Sequence, residues 1–391
     1  MLAITNAHLH TCGPKGNILG GSLLVQDGRI IAVGEEIAIP SDARVIDVQG
    51  ANVTPGFIDA HTHMGMGWQE LAGEADTNES TGVNNAHLNA LDSVDLGDIA
   101  FQDALDGGVT AVAILPGKLM IGSPSISPIS GQSIVMKMRG NIRGREILRN
   151  PAGMKLAVGA DVASFLSSRG IGPNSPMGIA AYLRGILDDA ERYSRRTSDA
   201  GEVDVQLEVL ARLLDREFPT HVHVHRSSDI LAILRIVDEF GLDVVLHHVT
   251  EGYLLAEVLA EKQVSCVVGP TSVAREALPE LRNASDSTPG ILASAGVQVA
   301  LMTDHPTDPI QFLPIIAGEA IREGMAYEEA LKAITINPAR MLGVANRVGS
   351  LETGKDADLV IHDGDPLEAM TRIRMVMADG EIVVDHMQQI A

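Results

Sequence analysis

His61 and His63 stand two residues apart in "PGFIDAHTHMG", residues 55–65, with Asp59 just ahead of them and glycines on both sides. Further along, "THVHVHR" carries His221, His223 and His225, "VVLHH" carries His247 and His248, and "LMTDHP" carries Asp304 followed by His305. Residues two apart on an extended strand project to the same side, so imidazoles at that spacing address one ion. Neutral imidazoles with a carboxylate suit a divalent transition metal such as zinc. An ion of that kind lowers the pKa of bound water from about 16 to about 7 and polarises an amide carbonyl. A carboxylate beside the water can take its proton and later deliver one to a leaving nitrogen.

One histidine at a strand end is ordinarily a satisfied polar residue. The weight here lies in the gathering: seven of the 13 histidines fall at the ends of three expected strands, and Asp304 closes a fourth. His8 and His10 in "AHLHT" repeat the spacing without partners nearby in the sequence, and read as a solvent-facing strand.

The elements that would position these residues are legible as alternation. Eight short apolar runs, "GFIDAHTH", "GVTAVAILPG", "ISGQSIVMKM", "AGMKLAVG", "THVHVHR", "LDVVLHHV", "VSCVVGP" and "VQVALMTDHP", are spaced by segments with apolar residues three and four apart. In "TINPARMLG", Asn337 reads as an N-cap with Pro338 at the first helical position. Eight strands alternating with helices predict a (β/α)8 TIM-like barrel over residues 55–345, whose active site lies at the carboxyl ends of the strands. The "LPGKLMIGSPSISPISG" stretch reads as loop near that mouth and lacks the glycine spacing of a phosphate-binding loop. The two ends of the chain differ from this body. "SLLVQDGRIIAV" and "RMVMADGEIVVD" are hairpins around Asp27-Gly28 and Asp379-Gly380. Residues 1–54 and 346–391 are therefore expected to join in a small β-sandwich domain.

Composition narrows the partners. A chain of 391 residues, 45% hydrophobic, is large enough for such a core. Its formal charge of −22 opposes binding to nucleic acid or anionic lipid. Cys12 and Cys266 are too few for a disulfide framework, the first residues lack a signal-peptide pattern, and no run is long enough for a membrane span. The expectation is a cytoplasmic protein acting on a small molecule, with self-association into a homo-oligomer left open.

Over nearly its full length the chain resembles the metal-dependent amidohydrolase superfamily, in its imidazolonepropionase-related branch. "PGFIDAHTH" is close to the signature after the first barrel strand, and "GSLETGKDADLVIHDGDP" resembles the segment returning such chains to their β-sandwich. "ALDGGVTAVAILPG", "HVHVHRSSDI", "HHVTEGY" and "LMTDHP" follow in the family's order. The resemblance implies His61 and His63 as first-strand ligands, His223 from the fifth strand, His248 from the sixth, and Asp304 from the eighth as both ligand and general acid/base. It leaves His221 one step deeper, His247 on the opposite face, and His225 as a catalytic helper for the oxyanion rather than a ligand. Many relatives bridge two metals with a carboxylated fourth-strand lysine; Lys155 is the best match, with Lys137 one strand earlier as its rival. Some similar chains instead carry an acidic residue after "KxxxG", where this one has Ala160 and then Asp161. Either one or two ions, zinc foremost, are thus implied. Arg226 and Tyr253, in loops after strands, are candidates to bind substrate.

The implied activity is hydrolysis of a non-peptide carbon–nitrogen bond in a linear or cyclic amide, with metal-bound hydroxide as nucleophile. The alternative is a dipeptidase, Xaa-Pro-type or other, on the same residues. A non-catalytic assembly protein is the third reading, and retention of the five ligand positions argues against it.

Overall fold

The eight apolar runs form eight strands. The computed structural model describes all residues except 67–76, 80–81, 118, 121–122, 125, 140–145, 197–202, 272–274, 276–277 and 387–391. Its barrel strands, first to eighth, are Phe57–Thr62, Val109–Ile114, Ile129–Lys137, Glu146–Ala157, Thr220–Val224, Val244–His248, Ser265–Val268 and Val299–Leu301. They pair in chain order in one sheet. The circle closes where Thr62 bridges to His305 and the His63 N–H donates to the His305 carbonyl at 3.0 Å. Helices such as Ser227–Phe240 after the fifth strand and Ala256–Glu261 after the sixth pack around the outside.

One strand departs from the regular pattern. The third runs antiparallel to both the second and the fourth. A parallel crossover takes a dozen or more residues, whereas the link 138–145 suits a hairpin. The loop-like stretch before this strand has only part of its length in view, since residues 118, 121–122 and 125 lie outside the described residues.

Both chain ends enter one further sheet. Its order is Glu381–Asp385, Ile373–Ala378, Leu359–His362, Asn52–Pro55, Leu2–His10, Asn17–Gln26 and Arg29–Gly34, with Arg44–Asp47 also pairing Leu2–His10. The sheet curls over a core of its own that includes Ile4, Leu23, Ile30, Leu359 and Met375. Asp27 and Asp379 adopt φ of 49° each, as their hairpins require. His10 is not solvent-facing: it is 5% exposed, its Nε2 lies 2.9 Å from Asn52 Oδ1 on another strand of the sheet, and its ring faces that of Tyr327.

Lys137 joins the two bodies. Buried on the third barrel strand, its ammonium meets Asp356 at 2.5 Å, Asp358 at 3.1 Å and also Asp379, all from the C-terminal segment. This lysine is consumed in an ion cluster between barrel and terminal sheet, so it is no rival to Lys155. The helix near the end of the barrel starts at Ile336 with Thr335 at the N-cap position, two residues earlier than the sequence suggests. Asn337 lies inside it and donates to the Val299 carbonyl at 2.8 Å, tying the helix to the eighth strand. Among the described residues, no helix is long and apolar enough to cross a membrane.

Candidate metal centre

The carboxyl ends of the strands bring the histidines together in two groups. His61, His63 and Asp304 place one donor atom each within 4.8 Å of one another, and so do His223, His225 and His248. All six are 9% exposed or less.

In the first group the far ring nitrogens are already held. His63 Nδ1 lies 2.6 Å from the Leu115 carbonyl. A carbonyl accepts only, so Nδ1 carries the proton and Nε2 keeps its lone pair, 3.2 Å from Asp304 Oδ1. His61 Nε2 lies 3.8 Å from the same oxygen. Asp304 leaves the eighth strand at a φ of 51°, and Thr307 Oγ1 donates to its second oxygen at 3.1 Å.

In the second group His248 is held in the same way, by a carbonyl, and His225 by a hydroxyl that can donate or accept. His248 Nδ1 lies 3.0 Å from the Gly269 carbonyl, and His225 Nδ1 lies 2.7 Å from Thr250 Oγ1. The inner nitrogens of His223 and His225 stand 3.1 Å apart. His225 thus stands among the donors as well as beside the cavity, a position the fifth-strand motif does not reveal.

His247 does not face away from the barrel. It is in register with His223, and like Val245 two residues earlier it points inward, where Val245 packs with Ala60, Val267 and Ala300. Strand alternation would send His248 outward with Leu246, but a φ of 68° at His248 and 51° at Val249 turns the chain and brings this ring into the mouth. Adjacent histidines therefore share one side because the strand ends at the second of them.

Burial keeps these rings uncharged. It pushes His61, His223, His225 and His247 well below the ordinary histidine range, neighbouring basic groups adding to the effect. The same cause takes His248 down to about 4 and His221 to about 3. Neutral imidazoles aimed inward, with their outer nitrogens hydrogen-bonded, are the form in which this residue ligates metal.

Lys155 lies between the groups. Fully buried on the fourth strand, its Nζ is 3.1 Å from His61 Nε2. Among the described residues no carboxylate reaches it within 4.0 Å, and burial lowers its pKa to about 7. A neutral amine beside a metal ligand is the state that forms a carbamate, and a carbamate supplies a carboxylate-like donor.

Above the donors the cavity is walled by Gly117, Thr250, Gly269, Pro270, Leu278, Leu281 and Thr307. Apart from Asp304 and the imidazoles, no titratable side chain among the described residues lines it. Arg226 and Tyr253 are not in this wall: Arg226 lines a neighbouring groove between the helices 176–194 and 227–240, and Tyr253 Oη donates to the Asn283 carbonyl at 3.3 Å.

Sequence reasoning missed Glu280, which is 2% exposed and sits between the two wall leucines. The helix Ala160–Arg169 after the fourth strand has no side-chain cap of its own. Glu280 supplies one from across the mouth, accepting from the Ala160 N–H at 2.6 Å. At Gly159 a Cβ would fall 2.7 Å from Glu280 Oε1, and φ is +123°, so glycine is required there twice over. Burial and the neighbouring Asp161 carboxyl raise Glu280 to about 7.

The comparisons agree with this geometry. The amidohydrolase family model matches residues 157–383, more than half of the chain. A crystal structure of an amidohydrolase from Thermotoga maritima superposes with a TM-score of 0.91 at 35% identity, covering 98% of this chain and all of that one. Imidazolonepropionase of Symbiobacterium thermophilum is 27% identical over 382 residues, 88% of this chain and 84% of its own. Amidohydrolase tasK of Hapsidospora irregularis is 26% identical over 93% of this chain, which spans only 40% of that protein's length. With its histidines and Asp304 gathered at the mouth of such a barrel, the chain belongs to the amidohydrolase family, whose members are hydrolases acting on carbon–nitrogen bonds.

Proposed function

We propose that the protein hydrolyses a non-peptide carbon–nitrogen bond in a small linear or cyclic amide. The observation that carries this reading is the pair of donor groups at one barrel mouth, with the outer ring nitrogens of His63, His225 and His248 already tied to the protein. His61, His63 and Asp304 would hold one divalent ion, zinc foremost; His223 and His248 would hold a second, with Lys155 as the bridge once carboxylated. Bound there, a divalent ion supplies Lewis acidity, making water acidic enough to ionise near neutral pH and polarising a carbonyl.

The chain's own residues do the rest. Asp304 takes a proton from the attacking water and passes one to the leaving nitrogen, positioned by Thr307 on its outer oxygen. His225, whose Nδ1 accepts from the Thr250 hydroxyl, turns its Nε2–H toward the oxygen on which negative charge develops. Leu278, Leu281 and Pro270 exclude water and favour an apolar substituent on the substrate. Arg226 and Tyr253 stand outside this wall, so their part in binding is limited to substrate groups that project beyond the cavity.

A screen of the purified protein against N-acyl amino acids, cyclic amides and dipeptides tests the reading. Turnover of the first two classes with dipeptides inert supports it; turnover of dipeptides alone overturns it in favour of a peptidase.

A further inference from the structure

Beneath the donors, His221 and His247 are left without a role by the reading above. We infer that they are positioning residues for His61: a line of three buried imidazoles holds its ring and gives its Nδ1–H an acceptor, so that Nε2 is free for the ion. The inference rests on the metal-site reading.

The geometry is a continuous hydrogen-bonded line. His61 Nδ1 lies 3.0 Å from His247 Nδ1, and His247 Nε2 lies 2.8 Å from His221 Nδ1. The rings meet edge to face, with centroids 4.8 Å apart for the first pair and 4.9 Å for the second. None of the three is more than 1% exposed.

A hydrogen bond between two ring nitrogens needs one donor and one acceptor. When His61 presents the lone pair of Nε2 to an ion, its proton is on Nδ1 and is donated to His247. His247 then carries its proton on Nε2 and donates to His221, whose own proton is on Nε2. Reversing the line places a proton on His61 Nε2, pointing at Lys155 and Asp304, where it blocks the ion. The line therefore has two arrangements, and only one is competent.

Shape holds the far end. A Cβ at Gly153 would fall 2.0 Å from His221 Cδ2 and 2.4 Å from its Nε2. Gly153 has no positive φ, so this glycine is needed for the room it leaves rather than for its backbone freedom. Gly153→Ala displaces His221 while leaving every imidazole in the sequence. Ligand-orienting partners of this kind are typically worth about 10–100-fold in metal affinity.

The test is zinc affinity of the full-length, metal-stripped protein, titrated against a competing chromophoric chelator, with circular dichroism as the check of fold. His247→Phe, which removes the acceptor, is expected to weaken the tightest zinc by about 10–100-fold. His247→Gln, whose side-chain carbonyl accepts from His61 Nδ1–H, is expected to recover most of that loss. Gly153→Ala should weaken zinc in the same direction, and it decides the matter if His247→Phe does not fold. The inference is overturned if folded His247→Phe and Gly153→Ala bind zinc within about threefold of the parent, since a 10-fold role does not fit inside that margin. It is also overturned if Gln is no better than Phe, which would make the line mere packing. His61→Ala separates the two levels: if it leaves zinc affinity unchanged, the metal-site reading fails and takes the inference with it. If it abolishes binding while the other variants match the parent, the inference alone fails.

Discussion

Asp59 and Thr303 are joined by two hydrogen bonds: Asp59 Oδ2 accepts from the Thr303 N–H at 3.0 Å and from Thr303 Oγ1 at 2.6 Å. The other carboxylate oxygen accepts from the His61 N–H at 3.0 Å. Asp59 is fully buried, and Thr303 immediately precedes Asp304. One side chain thus spans the seam where the barrel closes and sets the first-strand ligand against the eighth-strand carboxylate.

Asp59→Asn follows from this arrangement. An amide keeps one acceptor but turns an NH2 toward either the His61 N–H or the Thr303 donors, and a buried donor left facing a donor costs about 1–3 kcal/mol. Urea unfolding of the metal-free protein is expected to show a loss of that size, together with weaker zinc binding. Unchanged unfolding midpoint and affinity would mean that the seam is held by other bonds.

Much of the site was legible because strand periodicity and strand ends are local properties. His61 and His63 follow from two-residue spacing at the end of an apolar run and Asp304 from closing another, whereas the choice of His223 within its run comes from the family resemblance; all eight runs became strands. The reversed third strand was hidden by the same logic: an apolar run carries no sign of its direction, and only the short link 138–145 hints at a hairpin. His247 and His248 were assigned to opposite faces by alternation, which holds only while the strand continues; the positive φ at His248 ends it. Glu280 was out of reach, since its partner is a helix terminus 120 residues away along the chain.

Lys155→Ala distinguishes one ion from two. If a carboxylated Lys155 bridges the donor groups, the variant should hold about one fewer ion per chain by elemental analysis, and added short-chain carboxylates should restore part of the loss. An unchanged metal count would leave Lys155 as a buried amine and the bridge unsupported.

Glu280→Gln reads out the latch between the cavity wall and the helix at 160–169. A carboxyl whose pKa is raised to about 7 in the folded chain, against about 4.3 unfolded, holds its proton more tightly when folded. Its contribution is therefore fully present below about pH 4.3 and is lost as pH rises toward 7 and beyond. Gln, neutral throughout, keeps an acceptor for the Ala160 N–H. The parent is expected to lose stability relative to Glu280→Gln between pH 5 and pH 8 in paired urea titrations, and parallel curves would count against it.

Asp304→Asn separates chemistry from ligation. The amide keeps size and one acceptor oxygen but takes no proton from water, so kcat on an amide substrate should fall by about 10²–10⁴-fold or more while KM changes far less. A metal-loaded variant within about threefold of the parent rate would remove Asp304 from the proton-transfer role.

The central claim is that the barrel mouth is a divalent metal centre, and metal content tests it most directly. Elemental analysis of the protein as purified should find one or two equivalents of zinc or a similar divalent ion per chain, and folded His61→Ala/His63→Ala should lose the ion held with Asp304 and the hydrolytic activity with it. The same metal content in parent and double variant, with the fold of both verified by circular dichroism, would contradict the account.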